Sequence, residues 1–328
     1  MHQSITKVLL KRLISSLIVV FILLSFIFFL VRIAPGSPAD RYISPGISPA
    51  LAEKIRNSFN LNNSLPEQYW SFLKNAMSGN FGYSYTYHLP VMNVIGAFLP
   101  FSVGFALITF AVQVCSGFAC AAVAYKSRSR FTDSALTKIN YVLYSIPSFV
   151  TGVFLIYVFS YVLGLLPSSG IRSVEMADNG FIALIGDYLA HLILPVVCLA
   201  LTGIPVYYKY FRDSIEETYN KLFVMSLRSS GVGEKKIFLS HVIPNSITPV
   251  LAYAGIDLGM LFGTVVITET IFGLPGMGRL AVQAILCKDY PLVIGCSLVS
   301  ALLMVASNII ADMISVLIDK RLIKGVLN

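Results

Sequence analysis

The chain has 328 residues, of which 56% are hydrophobic and only 12% are charged, and its mean hydropathy is +0.77. Soluble domains carry roughly 25% charged residues, so this composition excludes an ordinary soluble protein and indicates a chain surrounded mainly by lipid. The formal net charge of +8 is therefore interpreted as a signal of membrane topology and not of nucleic-acid binding.

Six apolar runs are each close to or longer than the roughly 20 residues that a helix needs to cross a bilayer. They are residues 13–31, 99–125, 139–166, 188–208, 247–268 and 291–317. Lipid offers no water to satisfy backbone hydrogen bonds, so each run must be helical. The sequence therefore predicts an all-α membrane protein with six transmembrane helices, in which Pro147, Pro195 and Pro205 kink the third and fourth spans.

The distribution of basic residues predicts the orientation of these spans. An even number of spans places both termini on one side, and that side carries sixteen lysines and arginines against eight on the other. The positive-inside bias puts both termini in the cytoplasm. The first run lacks a small-residue cleavage site, so we expect a retained anchor rather than a signal peptide.

The chain divides into three parts on this topology. Residues 1–32 form the N-terminal tail and first span, residues 33–98 an extracytoplasmic segment, and residues 99–328 a five-span core with a cytoplasmic loop at about 209–247. In the outer segment, Ser64 and Glu67 have the spacing of a capping box. This outer segment is expected to cap the pore or to offer a docking surface, or simply to pack at the membrane interface.

The most informative cytoplasmic stretch is residues 223–249. Two helix-like runs flank Gly231 and Gly233, basic residues lie on both runs, and Pro244 closes the second. Glycine allows a sharp turn between the runs because it tolerates positive φ. A charged helix–glycine–helix unit in a membrane protein indicates a surface for a soluble partner.

Polar residues in or near the spans are candidates for a translocation path, because intramembrane ionisable groups usually face a cavity or a partner. They are Gln113, Asp257, Glu269 and Asp312. Asp257 lies in a stripe of glycines at positions 255, 259 and 263, a spacing that favours close helix packing. Glu269 and Asp312 lie nearer span ends, where solvation or pairing between helices is at least as good an interpretation.

The sequence contains no motif typical of nucleotide binding, catalysis or metal binding. There is no phosphate-binding loop of the Gly-x-x-x-x-Gly-Lys-Ser/Thr type and no Gly-x-Ser-x-Gly elbow. The four histidines and five cysteines show no metal-binding spacing. We therefore predict no catalytic residue, no metal site and no cofactor in this chain, so that any uphill transport draws its energy from a partner.

The 223–249 segment resembles the "EAA" coupling loop of bacterial ATP-binding-cassette (ABC) importer permeases. With Gly231 in the glycine place, Pro244 falls on the final proline of that pattern. Met225-Ser226-Leu227 stands where Glu-Ala-Ala is expected, and His241 replaces an isoleucine. The run Leu227-Arg228-Ser229-Ser230-Gly231 is closer to the Ala-Arg-Ala-Lys-Gly of one branch, the peptide/opine/nickel permeases.

Resemblance to this branch extends over essentially the whole chain. Residues 32–38 resemble its start, residues 79–84 its outer segment, and residues 272–280 its exit from the fifth span. Glu269 before that exit, and Asn308 with Asp312 in the last span, continue the resemblance. The chain is similar to a "B"-type permease subunit of that branch.

The resemblance implies a type I importer permease fold and a set of partners. These are a second homologous permease, two cytoplasmic ATPase subunits that bind ATP and Mg, an extracytoplasmic substrate-binding protein and membrane lipid, with no nucleic acid. It also implies alternating access driven by the ATPases, with peptides, nickel or metal chelates as cargo. The residues expected to couple to the ATPase are Met225, Leu227, Arg228, Gly231, Gly233, Glu234, Lys235 and Pro244.

Two other classes of function were weighed. An ion-coupled carrier or channel would use Asp257, Glu269 or Asp312 as a proton or cation site and would need no ATPase. A membrane scaffold or sensor would bind partners without transport. The first predicts that the 223–249 segment is dispensable and that transport follows a gradient.

Overall fold

The computed structural model describes the backbone of residues 2–33, 64–126, 130–173 and 180–318. Most of the motif at residues 32–38 lies outside these ranges. Within them the chain is helical and contains no β-strand, and the one β-type pairing is an isolated antiparallel bridge between Tyr83 and Pro90. The all-α architecture predicted from the apolar runs is confirmed for this part of the chain.

The helices differ widely in length, from 4 to 39 residues. In chain order they are α1 (His2–Ile33), α2 (Leu65–Met77), α3 (Val91–Lys126), α4 (Arg130–Ser145), α5 (Ser148–Leu155), α6 (Phe181–Tyr219), α7 (Leu222–Ser229), α8 (Glu234–Ile237), α9 (Ile243–Ile271), α10 (Met277–Leu286) and α11 (Tyr290–Ile318). π-helical turns extend α5 over Ile156–Val162 and join α8 to α9 over Phe238–Val242.

Four stretches of the described helices are long and apolar enough to cross a membrane. They are Val91–Tyr125, Phe181–Tyr219, Tyr253–Ile271 and Tyr290–Ala311. A bent pair, Phe131–Ser145 with Ser148–Val162, gives a fifth if it is counted as one span. The apolar stretch in α1, Ile14–Leu30, is shorter, so the sixth span stays a prediction.

The third predicted span is not one straight helix. Its two arms meet at an angle of 98° around Pro147. Proline has no backbone N–H and disfavours helical geometry in the residue before it, which explains a break at this position. Pro195 and Pro205, in contrast, lie inside α6, which continues through both.

Helix α6 lies at the centre of the fold and packs against α3, α4, α5 and α9. Helix α9 also packs along α11 through its small residues, as the glycine stripe predicted. A Cβ added to Gly255 would lie 1.7 Å from the Cβ of Ala311, and one on Gly259 would lie 3.3 Å from atoms of Met304 and Asn308. Gly263 has open space, so the close approach covers only part of the stripe.

At the outer segment, α2 begins as its capping pattern predicts. The backbone N–H of Ser64 donates to the Glu67 carboxylate over 3.2 Å. The hydroxyl groups of Ser25 and Tyr69 lie 2.6 Å apart, and the ring of Phe28 contacts Tyr69 edge-on. These contacts hold α2 against α1.

Candidate functional site

The turn between α7 and α8 is a helix-terminating Schellman motif. The N–H of Gly231 donates to the carbonyl of Arg228 over 3.0 Å, and the N–H of Val232 donates to that of Leu227 over 3.1 Å. Gly231 has φ +78°, the left-handed conformation that this motif requires at its glycine. The glycine that the sequence singled out therefore makes the reversal between the two helices of the 223–249 segment.

An ion pair braces this turn from the outside. Arg228 Nε donates to Glu234 Oε1 over 2.6 Å and Arg228 Nη2 donates to Glu234 Oε2 over 3.3 Å. The guanidinium also lies over the ring of Tyr219, 5.5 Å from its centroid. The hydrogen-bonded carboxylate raises the pKa of Arg228, which keeps this exposed guanidinium charged. Arg228 thus links α7, α8 and the end of α6.

The inner face of the segment is anchored by burial. Val224, Ile237 and Val242 are fully buried, in a cluster that includes Tyr219 of α6. Tyr219 in turn stacks on Tyr125 of α3, with ring centroids 4.3 Å apart. The segment is therefore fixed to the ends of two long helices, so a force applied to it reaches both.

The outer face of the segment exposes both apolar and basic side chains. Leu222 is 82% exposed and Met225 is 57% exposed, while Lys235 and Lys236 are exposed on α8. Pro244 is exposed in the first turn of α9, and Gly233 is the N-cap residue of α8. Leu227, by contrast, is partly buried in the inner cluster.

Sequence reasoning missed three contributors to this segment. They are Leu222, which opens α7, and the two tyrosines Tyr125 and Tyr219, which support it. Tyr125 lies far away along the chain and no local pattern connects it to α7. The exposed leucine could have been found, since it directly precedes the singled-out segment.

Gln113 lies inside the described bundle and not on a surface of it. Its side chain is 1% exposed, and Nε2 donates to the carbonyl of Leu199 over 3.0 Å. Gly203 makes room for it, because a Cβ there would lie 2.3 Å from the Gln113 amide carbon. Gln113 therefore ties α3 to α6, and a path role for it stays a prediction.

Asp257 is held by two tyrosine hydroxyls. Tyr207 of α6 donates to Oδ2 over 2.8 Å, and Tyr253, one turn earlier on α9, donates to Oδ1 over 3.4 Å. The carboxylate is only partly buried. Among the sequence-derived path candidates with described side chains, it is the least buried.

Glu269 caps the first turn of α10. One carboxylate oxygen accepts from the N–H groups of Gly278 (2.8 Å) and Arg279 (3.1 Å), and the other accepts from the Ser102 hydroxyl (2.5 Å). The same hydroxyl accepts from the N–H of Met277 over 2.7 Å. Glu269 is fully buried, so the geometry favours a capping task, and its path role stays a prediction.

The turn after α9 is a second Schellman motif. Leu274 N–H donates to the carbonyl of Glu269 over 2.9 Å, and Gly273 has φ +62°. Arg279 Nη1 donates to the Gly273 carbonyl. Asp312 lies in α11, but its side chain lies outside the described part of the structure, so its predicted role is left as it stands.

A second buried acid lies at the start of α11. Asp289 Oδ2 accepts from the Ser84 hydroxyl over 2.6 Å and from the Thr86 N–H over 2.9 Å. Its Oδ1 accepts from the Leu292 N–H over 3.3 Å, as an N-cap does. Asp289 thereby fixes the loop before α3 to the end of α10.

Two family models match the chain. Residues 113–324 match the binding-protein-dependent transport system inner membrane component, and residues 5–106 match the N-terminal part of such a membrane component. The fold agrees with this match. An inward-facing structure of the MetNI methionine ABC transporter superposes with a TM-score of 0.53 at 15% identity, covering 72% of this chain and 97% of the matched one.

Relatives of full length are also similar in sequence. A probable peptide ABC transporter permease of Sinorhizobium fredii is 31% identical over 314 residues, covering 96% of this chain and 98% of the relative. The oligopeptide transport system permease OppB of Haemophilus influenzae is 31% identical over 318 residues, covering 96% and 99%. The chain therefore belongs to the family of binding-protein-dependent transport system inner membrane components and is a multi-pass ABC importer permease of the cytoplasmic membrane.

Proposed function

We propose that this chain is one of two permease subunits of an ATP-driven peptide importer. It forms half of the translocation path together with a second, homologous permease. Two cytoplasmic ATPase subunits bind ATP and Mg and dock on the 223–249 segment, and a substrate-binding protein delivers cargo from outside. ATP-driven closure of the ATPases moves the permease pair between inward-facing and outward-facing states.

The geometry of the 223–249 segment carries this proposal. Its inner face is anchored to α3 and α6, its turn is braced by Arg228 and Glu234, and its outer face exposes Leu222, Met225 and two lysines. An apolar patch with a cationic rim suits docking on a protein with an acidic-rimmed groove. A rigid, anchored and exposed element is what transmission of a partner's movement requires.

The choice of cargo rests on the named relatives. Those described above are named for peptide and oligopeptide transport. We therefore propose peptides as the cargo in preference to nickel or metal chelates. Uptake of labelled peptides and of nickel by the complete transporter distinguishes the two.

The orientation and the three-part division remain part of the proposal. Both termini and the 223–249 segment face the cytoplasm, and the 33–98 segment faces outward. A thiol introduced by Ser230→Cys should then react with a membrane-impermeant reagent only in inside-out vesicles. One introduced by Trp70→Cys, on α2, should react only in right-side-out cells.

The turn at Gly231 gives the sharpest test of coupling. Gly231→Val places a β-branched residue at φ +78°, in open space, so the change strains the backbone without a clash. The strain is about 1–2 kcal/mol, and the turn can relieve it only by moving the segment away from its position. We therefore expect the ratio of peptide transported to ATP hydrolysed to fall about tenfold. Uptake and ATP hydrolysis are measured on the same reconstituted complex.

The chain offers a matched control for this variant. Gly79 occupies the same position in a Schellman motif at the end of α2, with φ +71° and nothing within 4 Å of an added Cβ. Gly79→Val should cost similar strain and leave the transport-to-hydrolysis ratio unchanged. Equal loss of that ratio in both variants, or normal coupling in Gly231→Val, contradicts docking at this turn. Uptake that follows an ion gradient without ATP would favour the carrier alternative.

A further inference from the structure

A groove between α4 and α6 forms a cavity of about 440 Å³. On α6 it is lined by residues between 205 and 213, before the last turns that lead into the 223–249 segment. This volume is in the range of about 300–1,000 Å³ typical of small-molecule sites. None of the residues predicted from sequence to line a path contributes to the groove.

An unpaired buried acceptor lies in the groove. Asn140 is 5% exposed, and its Nδ2 donates to the carbonyl of Leu136 over 2.9 Å. The carbonyl can only accept, which fixes the orientation of the amide and turns Oδ1 away from Leu136. Within the described residues, Asn140 Oδ1 has no hydrogen-bond partner. A buried acceptor without a partner in the folded chain points to a donor supplied by a ligand.

A cation and aromatic rings line the same groove. Lys209 lines the groove, is exposed, and forms no ion pair with any carboxylate in the described ranges. The neighbouring Arg212 is already occupied by Asp133, through hydrogen bonds of 2.9 and 2.8 Å. Tyr141 and Tyr144 form the α4 wall. The groove thus combines one cation without an ion pair, one acceptor without a partner and an aromatic wall, with Asp213 beside Arg212 as the acid of its lining.

Tyrosine contacts connect the groove to the carboxylate of Asp257 on α9. Tyr210 lines the groove and stacks on Tyr253, with ring centroids 4.6 Å apart. Tyr253 donates to Asp257 over 3.4 Å. Two tyrosines therefore lead from the groove to Asp257, the partly buried candidate for the path.

We propose that this groove is a binding station for the C-terminal end of a transported peptide. Asn140 Oδ1 accepts a hydrogen bond from a backbone N–H of the peptide, Lys209 pairs with the terminal carboxylate, and Tyr141 and Tyr144 cover the last side chain. Backbone N–H, carboxylate and tyrosine contacts suit peptides of varied sequence, because none of them reads a particular side chain. This inference rests on the proposed peptide cargo.

Protection of an introduced thiol tests the proposal directly. The purified transporter without its binding protein carries Tyr141→Cys, and the rate of its modification by a water-soluble thiol reagent is measured with and without tri-alanine. Wild-type complex gives the background from the native cysteines. In a titration, we expect tri-alanine at about four times its dissociation constant to slow modification about fivefold, because roughly four fifths of the sites are then occupied. Phe131→Cys, on the same helix and outside the groove, should be unaffected.

Two further variants assign the contacts. Each variant is added to Tyr141→Cys. Asn140→Leu should abolish protection by tri-alanine. Tri-alanine should protect the Tyr141→Cys complex better than tri-alanine amide does, and Lys209→Gln should make the two protect equally. ATP-dependent tri-alanine uptake by the complete transporter is measured separately and tests the proposed function alone. Uptake without protection overturns the binding station and leaves the proposed function standing. Protection that survives Asn140→Leu also overturns the station, whereas absence of uptake for every peptide tried overturns the proposed function on which the station rests.

Discussion

The chain makes the same backbone turn after α7 and after α9, and an acidic side chain serves the short helix that follows in both places. At the turn after α9, Glu269 is fully buried and accepts three hydrogen bonds, two from the first turn of α10 and one from the Ser102 hydroxyl. After α7, Glu234 pairs with Arg228, and both side chains are nearly half exposed. The two turns therefore have the same backbone conformation and differ in their exposure to solvent.

This difference in exposure determines whether the acidic side chain stabilises the fold or is free to change its partners. A buried carboxylate that satisfies backbone N–H groups in place of water is expensive to remove, because its partners are left unpaired. An exposed ion pair exchanges readily with water and contributes little. We expect the turn after α9 to hold the fold and the turn after α7 to change its contacts when a partner binds.

The largest expected effect comes from removing the buried cap. Glu269→Ala leaves the N–H groups of Gly278 and Arg279 and the hydroxyl of Ser102 without their partner. We expect a loss of about 3 kcal/mol in the free energy of unfolding. Denaturation of the detergent-solubilised chain measures it, with the exposed Glu216→Ala as control. A loss as small as the control's would remove the contrast between the turns.

A further copy of the motif, at the end of α10, allows a gain in stability. At the end of α10, Lys288 occupies the left-handed position with φ +53°, where glycine is favoured. The N–H of Asp289 donates to the carbonyl of Ala284 over 2.8 Å, so the motif is complete. Lys288→Gly should stabilise the chain by about 1 kcal/mol, because it removes the left-handed penalty.

The Lys288 prediction is read out in the same denaturation experiment. Lys288→Ala serves as its control, since it removes the charge and keeps the Cβ. Equal shifts in the two variants would assign the effect to the charge and not to the backbone.

The smallest effect on stability is expected at the braced turn. Arg228→Gln removes the ion pair with Glu234, and the free energy of unfolding should not change measurably, because both groups remain hydrated. Coupling of ATP hydrolysis to uptake should nevertheless weaken, and raising the salt concentration should produce the same weakening in the wild-type complex. A clear loss of stability with intact coupling would reverse the assignment of the two turns.

How much the sequence predicts depends on whether a signal is local. The helix–glycine–helix form of the 223–249 segment follows from glycine, proline and helix-forming runs within about 25 residues, and the structure has it. The capping task of Glu269 was not predicted. Its hydroxyl partner Ser102 lies 167 residues away, and no pattern near Glu269 identifies that contact.

The bent third span shows a second limit of sequence reasoning. Pro147 predicts a kink, but proline chemistry does not distinguish a kink from a 98° break. In α6 the same residue type leaves the helix continuous. The surroundings of the prolines differ, since α6 is packed on several sides, whereas α4 and α5 expose large parts of their surfaces.

Helix α6 has 39 residues and is therefore about 58 Å long, nearly twice the roughly 30 Å of a hydrocarbon core. The part of α6 that extends beyond the hydrocarbon core determines the direction in which the 223–249 segment faces around the helix axis. Deleting one residue between Pro205 and Tyr219 would turn that segment by about 100°, and only a step of about seven residues would nearly restore its direction. Even that step would draw the segment about 10 Å toward the membrane. The length of α6 is thus expected to tolerate few insertions or deletions.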